Sequence, residues 1–145
     1  MAILTRINNI YTGETAYFNV LNYIANNGFF LGGVVPQLVA AQMQAVEEEY
    51  NDDQNANVLH RLVFKFRKSD RMNEQVIGML CNRIASFYAK YQAVFAVEKE
   101  EKGIQLHVVI NAFSFADGEV LHIDETGLQK LILFCVPFLP HCTIK

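Results

Sequence analysis

The sequence is poor in several features that would point to a particular environment or chemistry. Its three cysteines, Cys81, Cys135 and Cys142, are widely spaced and form no CxxC pair. This spacing predicts reduced thiols in a cytoplasmic protein and suits no zinc site. The longest apolar run, residues 131–139, is shorter than the roughly 20 residues that a membrane-spanning helix needs. Because no signal peptide is evident either, we expect a cytoplasmic protein without a membrane segment.

Charge of either sign is also scarce, because charged residues make up 19% of the chain and the net charge is −3. Such a balance gives no general attraction to nucleic acid, so any binding of that kind must come from a local patch. The sequence has no glycine-rich phosphate loop, no internal repeat and no low-complexity linker. With 145 residues, 52% of them hydrophobic, we expect a single domain over 1–145 with a well-filled core.

The hydrophobic periodicity predicts strands and helices in the order β-α-(β)-α-β-α-β-β-β-α. Predicted strands cover 2–10 and 58–66, and a three-stranded meander runs from Gln92 to His122. Four helices are predicted. The first ends near Asn27, the second begins at Pro36, the third runs to Tyr91, and the last begins after a cap at Asp124 or Thr126. This order predicts the α+β class: a central antiparallel β-sheet with helices packed mainly on one face.

The middle strand of the meander has two unlike faces. Leu106, Val108 and Ile110 lie on one face, whereas Gln105, His107, Val109 and Asn111 lie on the other. An imidazole flanked by two amides is a candidate working surface. The alternative is that His107 is a hydrogen-bonded structural residue.

A strand rich in cations precedes the long helix. Arg61, Lys65, Arg67, Lys68 and Arg71 account for five of the chain's 12 basic residues. They form either a solvated sheet face or a face that contacts phosphates.

Several segments together resemble a known family. They are Met1-Ala-Ile-Leu4, Leu21-Asn-Tyr-Ile-Ala25, Arg61-Leu-Val-Phe-Lys-Phe66 and His107-Val-Val-Ile-Asn-Ala-Phe-Ser-Phe-Ala-Asp-Gly118, followed by His122. In this order they look like the catalytic domain of plasmid-mobilisation relaxases, which are tyrosine-dependent HUH endonucleases. The resemblance covers most of the chain and implies the relaxase-like fold.

The resemblance also implies roles for individual residues. In the family, imidazoles hold a divalent metal, Mg or Mn, that polarises the scissile phosphate, and a tyrosine attacks to form a phosphotyrosine. Tyr23 matches the nucleophile, His107 the last histidine of the metal-binding triad, and Asn111 the asparagine that follows it. The residues expected to contact DNA are Arg61, Lys65, Arg67, Lys68 and Asn111.

The sequence departs from the family at the metal ligands. Gly103 and Gln105 stand where the family has its first two triad histidines. Glycine offers no ligand, and the amide of Gln105 is a poor substitute for imidazole. Unless His60, His122 or a carboxylate completes the site, we expect His107 and Gln105 to hold no metal and nicking to be weak or lost.

Three functions remain open. The first is a relaxase-like domain that binds single-stranded DNA at an origin of transfer. The second is an active tyrosine nickase with a modified metal site. The third is a structural or regulatory domain that forms a homodimer through residues 131–139, a segment that could equally be buried within one monomer.

Overall fold

The computed structural model describes residues 1–13 and 15–145. In this part of the chain it has six strands, four helices and three short 3-10 turns. The strands are β1 (Ala2–Arg6), β2 (Phe29–Phe30), β3 (Leu59–Arg67), β4 (Ala93–Glu100), β5 (Gly103–Asn111) and β6 (Cys142–Ile144). The helices are α1 (Ala16–Ala25), α2 (Pro36–Tyr50), α3 (Glu74–Phe87) and α4 (Glu125–Cys135).

One sheet holds all six strands in the order β2-β4-β5-β3-β1-β6. Every neighbouring pair is antiparallel except β1 and β6, which run parallel. The α+β class and the central, mostly antiparallel sheet are therefore confirmed. Strand β5 lies in the middle, between β4 and β3.

The predicted third strand of the meander is wrong. Residues near Val120 form only an isolated bridge to Phe113 and a hydrogen bond from Leu121 N to Ala112 O of 2.8 Å. The physical reason is that β3 and β4 occupy both edges of β5, which leaves no room for another partner along it.

The expectation that the helices lie mainly on one face is also corrected. Helices α3 and α4 pack on one face around Leu62, Phe64 and Leu106. Helices α1 and α2 pack on the other face around Val94 and Val109. The central strands are apolar on both faces in their middle section, so each face requires a cover of its own.

Helix ends follow the predicted signals in most places. Asn73 caps α3 by accepting a hydrogen bond from Val76 N at 2.9 Å, and Asp124 caps α4 by accepting one from Gly127 N at 2.7 Å. Pro36 is the first residue of α2. The first strand is shorter than predicted, since β1 ends at Arg6, and α3 ends at Phe87 rather than Tyr91.

The apolar segment 131–139 is divided between core and surface. Leu131 and Cys135 are fully buried, whereas Leu133 is 72% and Val136 58% exposed. All three cysteines are free thiols. In the described residues, no helix combines the length and apolar character needed to cross a membrane.

Candidate functional site

The sheet face that carries His107 borders an open cavity of about 420 Å³, which we call the first cavity. Tyr23, near the end of α1, contributes the helical side of this cavity, and β3, β4 and β5 contribute the floor. Tyr23 and His107, far apart in the chain, therefore line the same space. The polar and charged residues around it are Thr5, Tyr23, Asn27, Arg61, Lys65, Glu98, Glu100, Gln105 and His107.

Strand register explains why these polar side chains converge. Gln105 on β5 pairs with Lys65 on β3 and with Glu98 on β4. Directly opposed residues in an antiparallel sheet point to the same face, and His107, two residues further along β5, shares that face. An ammonium group, a carboxylate, an amide and an imidazole are thus collected on one patch of the sheet.

His107 is held in place by a carboxylate. Its Nε2 lies 3.0 Å from Oε2 of Glu98, and the residue is only 9% exposed. Its other ring nitrogen, Nδ1, is buried and has no hydrogen-bond partner among the described residues. When the imidazole is protonated, the two groups form an ion pair at the cavity wall. The carboxylate of Glu98 thus fixes the orientation of the imidazole at the edge of the cavity.

Tyr23 is 60% exposed and lies next to a guanidinium group. The Cζ atom of Arg61 is 5.7 Å from the centroid of the Tyr23 ring, within the range of a cation–π interaction. Nη1 of Arg61 also donates a hydrogen bond of 3.3 Å to the hydroxyl oxygen of Tyr11. Arg61 therefore has a fixed position beside the phenol.

The other predicted DNA-contacting cations separate into two groups. Lys65 is exposed and lines the first cavity together with Arg61. Arg67 and Lys68 are also exposed, but they line a neighbouring depression near Gly103 at the end of the sheet. Of these four cations, only Arg61 and Lys65 share the space with Tyr23 and His107.

Asn111 has a structural position instead of the expected contact with DNA. Its side chain is fully buried. Oδ1 lies 2.9 Å from the hydroxyl oxygen of Tyr17, and Nδ2 donates to Met43 O at 3.1 Å and to Gln92 Oε1 at 2.8 Å. The amide is therefore occupied within the protein and ties α1 and α2 to the end of β5, which is incompatible with the predicted role.

The donor set does not fit a three-imidazole metal centre. A Cβ atom added to Gly103 would lie 1.9 Å from the backbone oxygen of Phe66, so this backbone has no room for any side chain there. The amide of Gln105 donates to Glu100, and the Nε2 atom of His107 is engaged by Glu98. The described residues contain no group of three histidine, cysteine or acidic side chains arranged to hold a metal ion.

His60 and His122 do not complete the site. His60 pairs with Ile110 across β3 and β5 and therefore points to the face opposite His107. Its Nε2 lies 2.7 Å from Leu121 O. Burial lowers the pKa of His60, an effect that the hydrogen bond to Leu121 opposes and that nearby Arg6 and His122 reinforce. Both imidazoles thus belong to the other side of the sheet.

The sequence analysis did not identify two carboxylates that line the first cavity. Glu98 and Glu100 alternate with Ala96 on β4, so all three point to the His107 face. The available signal was the tight β4–β5 hairpin, whose register places Glu98 opposite Gln105 and Ala96 opposite His107.

Comparison with known proteins gives two matches. A family model described as relaxase, MobA/VirD2-like, nuclease domain matches residues 23–136, more than three-quarters of the chain. Among solved structures, the MobM relaxase domain (MOBV; Mob_Pre) bound to 26-nucleotide pMV158 oriT DNA superimposes with a TM-score of 0.65 and 12% identity. The superposition covers 94% of this chain and 86% of that one, and at this identity it shows the shared fold alone. No curated protein matches the chain. The family match extends over most of the sheet and three of the four helices, and by it this chain belongs to the relaxases, as a MobA/VirD2-like nuclease domain.

Proposed function

We propose that this domain binds single-stranded DNA at an origin of transfer and holds a phosphate of the strand in the first cavity. The observation that carries this function is the convergence of Tyr23, Arg61, Lys65 and His107 on one open space. The solved relaxase domain with the same fold is bound to origin DNA. A phosphate group in the cavity would meet two cations and an oriented imidazole.

The electrostatics predict modest, salt-sensitive binding. Arg61 and Lys65 attract phosphate, while Glu98 and Glu100 on the same face repel it. Each cation that neutralises a phosphate of a single strand contributes about −0.7 to the slope of log K against log salt. With the net charge of −3 offering no further help, binding depends on these few local contacts.

Fluorescence anisotropy with a labelled 26-nucleotide single strand, measured at several salt concentrations, tests this function. We expect Lys65→Ala to weaken binding and to reduce the salt slope by about 0.7. Lys130→Ala removes an exposed lysine from α4, on the opposite face, and should leave both quantities unchanged. No binding by the wild-type protein at tens of micromolar concentration and low salt would reject the function.

We further propose that nicking is weak or lost, with Tyr23 and His107 as the remaining catalytic residues. In a nicking step the Tyr23 hydroxyl oxygen would form a bond to phosphorus while the bond to the leaving sugar oxygen breaks. The phenol would give its proton to His107, released from Glu98, and the leaving oxygen would take up a proton. The alternative, an active nickase with a modified metal site, predicts a covalent protein–DNA adduct.

An assay on supercoiled plasmid with Mg²⁺ or Mn²⁺ separates these two possibilities. We expect little relaxation and no covalent adduct on a denaturing gel. Efficient relaxation that is abolished by Tyr23→Phe and by His107→Ala would instead establish the active nickase. Calorimetric titration with Mn²⁺ checks the accompanying expectation that His107 and Gln105 hold no metal.

Association with a second copy is the other candidate function. Separately, we propose that the protein is cytoplasmic, because its three thiols are free. Association is favoured by Leu133 and Val136, the exposed apolar residues of segment 131–139. Sedimentation equilibrium at micromolar concentration decides the matter. A dimer that Leu133→Asp converts to monomer would support an interface through this segment, whereas a monomeric wild-type protein would exclude it.

A further inference from the structure

A second cavity of about 490 Å³ lies beside the first. Tyr23 and Arg61 line both cavities, so one aromatic ring and one guanidinium group form the wall between them. The rest of the second cavity is built by the segment that follows β1 and by the first turns of α1. A ligand that extends beyond the first cavity would therefore reach the second by passing these two side chains.

The second cavity combines aromatic, aliphatic and amide groups. Tyr11 and Tyr23 supply rings, Ile10 is 75% exposed, and Asn9 and Asn19 supply amides. Nδ2 of Asn9 is 3.4 Å from the Tyr11 hydroxyl oxygen, and Nδ2 of Asn19 is 3.3 Å from Thr15 Oγ1. Neither amide oxygen accepts a hydrogen bond from the described residues, so both remain available to a ligand.

Arg61 has unused hydrogen-bonding capacity at the wall between the cavities. Its Nη1 donates to Tyr11, while its Nε is buried and lacks a partner among the described residues. Because Nε is enclosed by protein atoms, a ligand can meet Arg61 only through the terminal nitrogens and the face of the guanidinium group. A guanidinium stacked near a phenol ring also presents a flat surface that suits another planar group.

We propose that the second cavity is a nucleobase subsite, in which Tyr23 stacks against one base of the strand whose phosphate occupies the first cavity. Single-stranded nucleic acids are bound by splayed bases that stack on aromatic rings and form hydrogen bonds along their edges. The amides of Asn9 and Asn19 supply the edge contacts. This subsite rests on the proposed function, because the phosphate in the first cavity anchors the strand. The ring of Tyr23 then matters for binding, independently of its hydroxyl group.

Binding of pentanucleotides to the full chain tests the subsite. The probes are labelled dT5 and a fully abasic pentamer, which carries the same phosphates without bases. Stacking predicts that dT5 binds about 5- to 150-fold more tightly than the abasic strand. Tyr23→Ala should abolish this difference, whereas Tyr23→Phe should preserve it within about threefold because the ring remains.

The contacts of the Asn9 and Asn19 amides with the base edge are tested by the order of affinities for different bases. We expect Asn9→Ala and Asn19→Ala to change the order of affinities for dT5, dC5 and dA5, while Asn82→Ala, an exposed asparagine on α3, leaves that order intact. Equal binding of dT5 and the abasic strand by the wild-type protein would overturn the subsite and leave phosphate binding in place. Absence of binding by every strand would overturn both the subsite and the proposed function.

Discussion

Among single residues, His107 and Asn111 lie on the same strand and face but differ in accessibility. His107 borders the first cavity and keeps one ring nitrogen without a partner, whereas Asn111 is fully buried and occupied by internal hydrogen bonds. Two-residue periodicity identified the shared face, but it carries no information about depth. The helices α1 and α2 cover the Asn111 end of that face and leave the His107 end open.

Replacing Asn111 tests its structural position. Asn111→Ala leaves the carbonyl of Met43 and the amide of Gln92 without their buried donor. A lost buried partner costs about 1–3 kcal/mol, and we expect a decrease of this size in the free energy of unfolding measured in urea. Asn82→Ala should change that free energy by no more than about 0.5 kcal/mol. A similar small effect at Asn111 would contradict the structural role.

Replacing Glu98 tests the electrostatic competition in the first cavity. Glu98 faces the space in which the phosphate is proposed to lie, and a carboxylate at that range opposes an anion by about 1 kcal/mol. We expect Glu98→Gln to tighten binding of a single strand about fivefold in the anisotropy measurement. Glu49→Gln, on the exposed side of α2, is the matched control. Weaker binding by Glu98→Gln would show that the orientation of His107 outweighs the repulsion.

For helices and strands, the sequence predicted where elements lie along the chain better than which elements pair or pack together. Pro36, Asn73 and Asp124 marked helix starts because their signals are local. The third strand of the meander and the one-sided helix layer were wrong because pairing and layering depend on contacts distant in sequence. The two-residue pattern places Val109 on the polar face, and its apolar side chain is the sign in the sequence that this face also needs a helical cover.

The start of β5 provides a prediction about the missing metal ligand. A Cβ at Gly103 would lie 1.9 Å from the backbone oxygen of Phe66, so Gly103→Ala requires β3 and β5 to separate locally. We expect a loss of about 1–3 kcal/mol in the free energy of unfolding. Gly78→Ala in α3 has open space around the new methyl group and should raise that free energy by up to about 1 kcal/mol. If Gly103→Ala is tolerated equally well, a histidine could be restored at this position.

Across the whole molecule, the two faces of the sheet differ in how far helices cover them. The face with His107 combines a helical cover with an open polar section, and the opposite face, covered by α3 and α4, holds His60. Gln105 and His107 indicated the open polar section from the sequence alone. The sequence did not indicate that His60 lies on the opposite face. A histidine outside the cavity should act on stability and leave DNA binding unaffected.

The acid dependence of stability tests that separation. His60 is 5% exposed, and burial lowers its pKa below the ordinary value of 6.5, so the folded protein holds the neutral form and binds fewer protons there than the unfolded chain. This stabilisation is fully present above about pH 6.5 and is lost as the pH falls toward the folded pKa, with a slope of at most about 1.4 kcal/mol per pH unit. We expect His60→Gln to reduce the fall in unfolding free energy between pH 7.5 and 5, since glutamine can donate to Leu121 O without titrating. Asn82→Ala, at an exposed position without a titratable group, should leave the fall unchanged. An identical pH dependence in wild type and His60→Gln would mean that other groups account for the acid sensitivity.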